Sequence, residues 1–331
     1  MKFFKNPLFV FFIWLIIGSC SPKKETLWVY TSTYKEVLSL YEPILQKEFP
    51  DLDIRWYQAG SETVAAKLNT EKLSGTVLAD LLMTSDLFYF NELAREGWLH
   101  PFTLPENYSI PAAHLGPSHV FNVSRFPVMV IAYNSNYISP SKAPTSWSDL
   151  LKAEFKSKIT MPSPLESGSF LTALFFLRET LGNKYLEQFR TQNVLSSGGN
   201  GSTMSRVLSG EKPIGIVLLE NILQAREKGQ KHVQFVIPKE GAFPIPSPVG
   251  IIKKTKISPN ADKVAKWFFS PQAQELLVKG WVYSSNPEMP PPFEAPAWNN
   301  LKLAPWDFNK FHTWSLERQK LKDDFSSAIL K

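Results

Sequence analysis

Only one cysteine, Cys20, stands in the 331 residues. No internal disulfide can form, so the fold has to be held by its core. The five histidines, His100, His114, His119, His232 and His312, show no H-E-x-x-H or comparable spacing. His114 and His119 share a Pro/Gly loop and form only a weak metal signal. No G-x-S-x-G elbow is present, and no serine has a His or carboxylate placed beside it in the sequence to activate it. The chain is therefore expected to be no enzyme, to have no catalytic residue or metal site, and to need no cofactor. The net charge of +6 comes without a dense basic stripe, so nucleic acid is not an expected partner. Beyond the first twenty residues no apolar run is long enough to cross a membrane. With 44% hydrophobic and 20% charged residues, the chain is globular and not disordered.

Those first twenty residues, MKFFKNPLFVFFIWLIIGSC, carry the most specific signal. Lys2 and Lys5 make a basic start, Leu8 to Ile17 an apolar core, and Gly18–Ser19 a small pair before Cys20. This is the pattern of a secretory signal segment. Ile-Gly-Ser-Cys resembles a bacterial lipobox, which makes Cys20 the expected lipidation site. The plainer alternative is a signal peptide or anchor helix with an incidental cysteine. Residues 21–26 then read as a polar tether.

After the tether, strand and helix alternate. LWVYTST is a buried strand, KEVLSLYEPILQKEF a helix, DLDIRWYQAG a strand, GSETVAAKLNTEKLSG a helix, ADLLMTSD a strand and LFYFNELAREG a helix. FPVMVIAYNSN, SKITMPSPLESGSF, KPIGIVLLE and HVQFVIP continue the strands. SWSDLLK, with Ser146 as its cap, LTALFFLRETLG, NILQAREKG and SPQAQELLVKG continue the helices. Near the end, DFNKFHTWSLERQKLKDDFSSAIL predicts an amphipathic helix packed across the outside. The strands end in small polar residues, where ligands sit in open α/β sheets. Extended segments near 125–134 and 241–252 predict crossings between two α/β lobes.

Several phrases together resemble a known family: LWVYTSTYKEVLSLYEPILQKEFP, GSETVAAKLNTEKLSG before ADLLMTSD, VLSGEKPIGIVLLENILQAREKG, and KVAKWFFSPQAQELLVKGWVYSSNPEMPPP. Their order is similar to that of bacterial ABC-transporter periplasmic solute-binding lipoproteins, in the ferric-binding-protein-like cluster. The resemblance covers nearly the whole chain after the signal. It implies a two-lobed α/β fold of the type II periplasmic-binding-protein kind, with mixed sheets flanked by helices and a ligand cleft between the lobes. The expected organisation is a signal peptide over 1–20, tether 21–26, lobe 1 from 27–130 plus 246–331, and lobe 2 from 131–245. It also implies a monomer held at the periplasmic or cell-envelope side of a membrane by its lipid. There it would hand a solute to an inner-membrane permease and ATPase. Iron binders of this cluster carry adjacent tyrosines after the strand matching IGIV, where this chain has Leu218-Leu219-Glu220-Asn221. That departure favours the organophosphate and phosphonate binders, which use small hydroxyl residues and helix N-termini. The alternatives are Fe(III) capture, a periplasmic ligand sensor and a surface-anchored hydrolase.

The expected ligand contacts follow. In SSGGNGSTMSR a helix is predicted to open near Ser202 or Thr203, making Asn200, Gly201, Ser202 and Thr203 candidates, with helix capping as the competing role. Ser167, Gly168 and Ser169 offer a second helix start, and Ser32 and Thr33 close the first strand. Ser61 and Ser85 stand at the next two strand ends, each beside a residue, Glu62 or Asp86, that also suits a cap. Glu220 and Asn221 are placed in the cleft by the resemblance, to meet a hydroxyl or ammonium. Arg125 is a candidate to neutralise an anion, with a surface or ion-paired role the commoner one for a lone Arg, and Tyr133 reads as a packing residue.

Overall fold

A computed structural model describes residues 24–116, 119–254, 257–305 and 315–330. The expected signal segment, Cys20 and the start of the tether lie outside the described residues.

The chain opens with β1 (Glu25–Thr31), α1 (Lys35–Glu48), β2 (Leu52–Gln58), α2 (Ser61–Ser74), β3 (Leu81–Met83) and α3 (Leu87–Arg95). The tether is shorter than expected, because Glu25 and Thr26 already pair with Leu52 and Asp53 of β2. In α1, Val37, Leu38, Tyr41 and Leu45 are buried, the one-sided stripe that helical spacing produces. Both β2 and β3 lie parallel to β1, so all three carboxyl ends point the same way.

After β4 (Leu99–His100) and β5 (Asn122–Phe126), the chain leaves this sheet at Pro127 and enters a second one with β6 (Val128–Asn134). There follow β7 (Ile159–Met161), α4 (Gly168–Leu181), α5 (Lys184–Thr191), β8 (Leu195–Ser196), α6 (Asn200–Ser209), β9 (Ile214–Leu218), α7 (Leu219–Glu227), β10 (Val233–Val236) and β11 (Phe243–Pro244). Between Pro244 and β12 (Ser247–Ile252) it returns. Then come α8 (Pro259–Trp267), α9 (Pro271–Lys279), β13 (Tyr283–Ser284) and a final α10 (Arg318–Phe325). The first sheet runs β13-β5-β12-β3-β1-β2, with β4 on β12; the second runs β10-β6-β9-β7-β8, with β11 on β6. Both are mixed: β12 is antiparallel to β3 and β5, and β6 is antiparallel to β9. Because β6 belongs wholly to the second sheet, the first changeover falls at Pro127, ahead of the expected 130/131 division. The return lies between Pro244 and Ser247.

Each sheet is covered by apolar helix faces. Leu27, Val29, Val249 and Ile251 of the first pack with α1, α8 and α9. In the second lobe Phe243 is stacked between Trp147, at 4.6 Å, and Phe176, at 5.3 Å. Trp147 Nε1 donates to the Gly241 carbonyl at 2.8 Å, which satisfies the one polar atom of that buried ring.

The terminal helix departs from expectation. Residues 306–314 lie outside the described residues, and the helix that follows turns charge inward. Arg318 bonds Glu62 and Asp86 beside the first sheet. On its other side Phe325 meets Phe170 of α4 edge-on at 6.2 Å, so α10 touches both lobes.

Candidate functional site

A cavity of about 160 Å³ opens between the lobes, at the carboxyl ends of the strands of both sheets. From the first sheet, Ser32 and Thr33 follow β1, Gly60 and Ser61 follow β2, and Ser85 follows β3. From the second, Ser167 and Ser169 follow β7, Gly199 to Gly201 follow β8, and Glu220 follows β9. Ligand sites in α/β sheets occur at such ends because the helix starts there leave backbone N–H groups free.

Among the helices that begin on this cavity, α2, α6 and α4 carry the glycine and serine starts. Gly60 precedes α2 and Gly199 precedes α6, and neither helix has a side-chain cap. The first N–H groups of each are therefore left for an outside acceptor, with the positive end of the helix behind them. The third start, α4, is capped by Ser167, whose Oγ accepts from Phe170 N at 3.2 Å. Ser167 Oγ lies 3.0 Å from Ser169 Oγ, and Asn200 Nδ2 donates to Ser169 Oγ at 3.0 Å. These bonds fix three polar side chains of two helix starts against one another. Asn200 Oδ1 has no hydrogen-bond partner among the described residues.

The loop before α6 is tied down too. Gly198 N donates to Glu166 Oε1 at 2.8 Å, and Ser163 N to the Gly198 carbonyl at 2.9 Å. On the facing wall, Thr33 N donates to Thr31 Oγ1 at 3.0 Å and Ser85 N to Ser32 Oγ at 3.1 Å.

Of the thirteen residues expected to bind ligand, the cavity wall brings together Ser32, Thr33, Ser61, Ser85, Ser167, Ser169, Asn200, Gly201 and Glu220. Four stand off it. The α6 helix starts at Asn200 and not near Ser202 or Thr203, so successive side chains have already rotated away. Ser202 is exposed. Thr203 is buried and turns its Oγ1 back to the Gly199 carbonyl at 3.3 Å, a bond within its own helix. Asn221 accepts from Tyr34 OH at 3.2 Å, joining the two lobes beside the cavity. Gly168 is where they touch most closely: a Cβ there would lie 2.5 Å from Asp86 Cβ and 2.9 Å from Ser61 Cβ. With Gly60 also facing the Glu166 carbonyl, the lobes are closed on each other.

Arg125 is the residue that sequence reasoning misplaced. It lies in β5, which is paired on one side with β12 and on the other with β13, and its side chain lines the cavity. Arg125 is 3% exposed, and it makes no ion pair or side-chain hydrogen bond among the described residues. Burial pushes its guanidinium down to about 10, partly offset by Tyr41, Glu220 and Tyr34. The sequence around it, FNVSRFPVMV, is largely apolar, but its burial is set by β12 and β13, far along the chain. Asp86, in contrast, is a cap, its Oδ1 accepting from Tyr89 N at 3.1 Å. His114 Nδ1 lies 2.8 Å from the Ser285 carbonyl, and no group of three His, Cys, Asp or Glu among the described residues could hold a metal.

Residues 77–311, more than half of the chain, match the profile of the bacterial extracellular solute-binding proteins. The chain belongs to that family. A protein of Salmonella typhi, provisionally named as a 2-aminoethylphosphonate-binding periplasmic protein, is 26% identical over 234 residues, 67% of this chain. The match spans 66% of that relative's own length. Among solved structures, the periplasmic binding protein AfuA of Actinobacillus pleuropneumoniae, with fructose-6-phosphate bound, superimposes with a TM-score of 0.82. It is 22% identical and covered over 93% of this chain and 99% of its own. Iron-bound HitA of Pseudomonas aeruginosa follows at 0.78, with 18% identity and coverage of 91% and 99%. The fold is that of the type II periplasmic binding proteins, as the resemblance implied.

Proposed function

We propose that this solute-binding protein captures a small oxyanion, a phosphonate or phosphate ester, in the cleft between its lobes and delivers it to an ABC importer. The observation that carries this is Arg125. A buried guanidinium without a counter-ion costs folding energy, and here it faces two uncapped helix starts across one cavity. An oxyanion would pair with Arg125 and accept from the N–H groups at the starts of α2 and α6, with Ser32, Thr33, Ser61, Ser85 and Ser169 as further donors. Contacts from both walls would favour the closed form, because only that form completes the set.

The names of the Salmonella relative and of AfuA's bound sugar phosphate agree with such a ligand. HitA keeps Fe(III) as the second reading. Against it, Arg125 would repel a trivalent cation, and only Tyr34, Glu166 and Glu220 on this wall offer acidic oxygens. In the proposed arrangement Cys20 carries the lipid at the periplasmic side, the protein acts as a monomer, and an inner-membrane permease and ATPase are its partners.

The test is thermal unfolding of the chain from Ser21 onward with phosphonates, phosphate esters, sulfate, sugars and Fe(III). A ligand at 100 times its dissociation constant adds about 2.7 kcal/mol. A rise in Tm with one oxyanion and none with Fe(III) is expected. A rise with Fe(III) alone would overturn the proposal.

A further inference from the structure

Two ionisable groups of opposite kind, a guanidinium and a carboxyl, line the cavity without meeting. Glu220 at the start of α7 is 3% exposed, and among the described residues its carboxyl accepts only from its own backbone N–H. No ion pair within 4 Å joins it to Arg125, although each feels the other's charge. Arg125 lies in β5 of the first sheet and Glu220 follows β9 of the second. A ligand with only an oxyanion would satisfy Arg125 and leave the carboxyl without a cationic partner.

We infer that Glu220 is the specificity-determining residue of this cleft, selecting solutes that carry an ammonium as well as the oxyanion: aminoalkyl phosphonates or phosphate esters. This deepens the oxyanion reading and rests on it. The ammonium would donate to Glu220 while the oxyanion occupies Arg125 and the helix starts, so the ligand spans the gap between the two charges.

Protonation supplies an independent signature. In the empty cleft burial pushes the Glu220 carboxyl up to about 8, the nearby Arg125 only partly opposing this. The other ionisable groups facing this region are Glu166, which accepts from Gly198 N, Tyr34, itself held neutral by burial, Glu36, which is paired with Lys228, and Tyr41 beside Arg125. At pH 7 the carboxyl is therefore largely protonated. An ammonium placed against it favours the ionised form, so binding releases a proton, and affinity for an aminoalkyl ligand rises as the pH is raised toward 8. An oxyanion without an amine gives no such release from Glu220.

The experiment titrates 2-aminoethylphosphonate and ethylphosphonate, which share one oxyanion, into wild type and Glu220→Gln by calorimetry at pH 7, in buffers of different ionisation enthalpy. In wild type the aminated probe should bind at least about tenfold more tightly, the size of a charge-assisted contact. It should also release more protons than ethylphosphonate does. In Glu220→Gln the ratio should collapse toward one. The proton measurement needs no variant, so a Glu220→Gln protein that fails to fold does not rescue the idea. Equal affinity and equal proton release in wild type, or a preference that survives Glu220→Gln, would overturn the role of Glu220 and leave the oxyanion reading standing. If neither probe binds while Fe(III) does, both readings fall.

Discussion

Arg125→Met abolishes oxyanion binding and makes the empty protein more stable. Truncating a buried, charge-paired group at an interface costs about 2–5 kcal/mol, so affinity for the oxyanion should fall by a factor of about 30 or more. The opposite sign for stability follows from the empty cleft, where the guanidinium is buried with no ion pair among the described residues. Replacing an uncompensated buried charge with an apolar side chain of similar reach is expected to add about 1–4 kcal/mol. Calorimetric titration and thermal melts of the same two samples read both effects. A variant that loses affinity and also stability would mean that Arg125 serves the fold and not the ligand.

Arg318→Ala should cost about 3–5 kcal/mol of stability, the range for breaking a buried ion pair from one side. Arg318 reaches Asp86 at 2.7 Å and Glu62 at 2.9 Å, and it lies over the Tyr89 ring at 5.3 Å. Burial alone would lower its pKa, but Asp86 and Glu62 together hold it above its ordinary value. Without it, Lys322, 2.5 Å from Glu62, is the one cation among the described residues left paired beside the two carboxylates. The sign of the pH effect follows. Burial, and next the charge of Asp86, raise the Glu62 pKa in the folded state, so an ionised Glu62 opposes folding and a protonated one does not. Loss of Arg318 strengthens that tendency. The gap in Tm between wild type and variant should therefore be largest near pH 7 and narrow as the pH falls toward about 5. A gap that stays constant over this range would show that the variant loses packing alone. Because α10 touches both lobes, ligand affinity should drop as well, by less than in Arg125→Met.

Local periodicity carried much of this fold. The apolar stripe of α1, the glycine before α2 and the Pro271 and Gly280 ends of α9 are all decided within a few residues, and so were legible. The helix after SSGG was legible in kind but not in phase. Placing its start two residues late turns the expected side chains by about 200°, which is why Asn200 faces the cavity and Ser202 faces solvent. Arg125 was misjudged because its burial depends on β12 and β13, far along the chain. The partners of Glu62 lie at the opposite end of the sequence, and nothing around GSETV announces Arg318. The resemblance placed Glu220 in the cleft, and Glu220 lines the cavity, while its neighbour Asn221 bonds to Tyr34 across the lobes.

The most direct measurement is a crystal structure of the protein grown with 2-aminoethylphosphonate. The expected result places the phosphonate oxygens within hydrogen-bond distance of the Arg125 guanidinium and the N–H groups at the starts of α2 and α6. Electron density for a ligand elsewhere on the surface, with Arg125 untouched in an empty cleft, would contradict it.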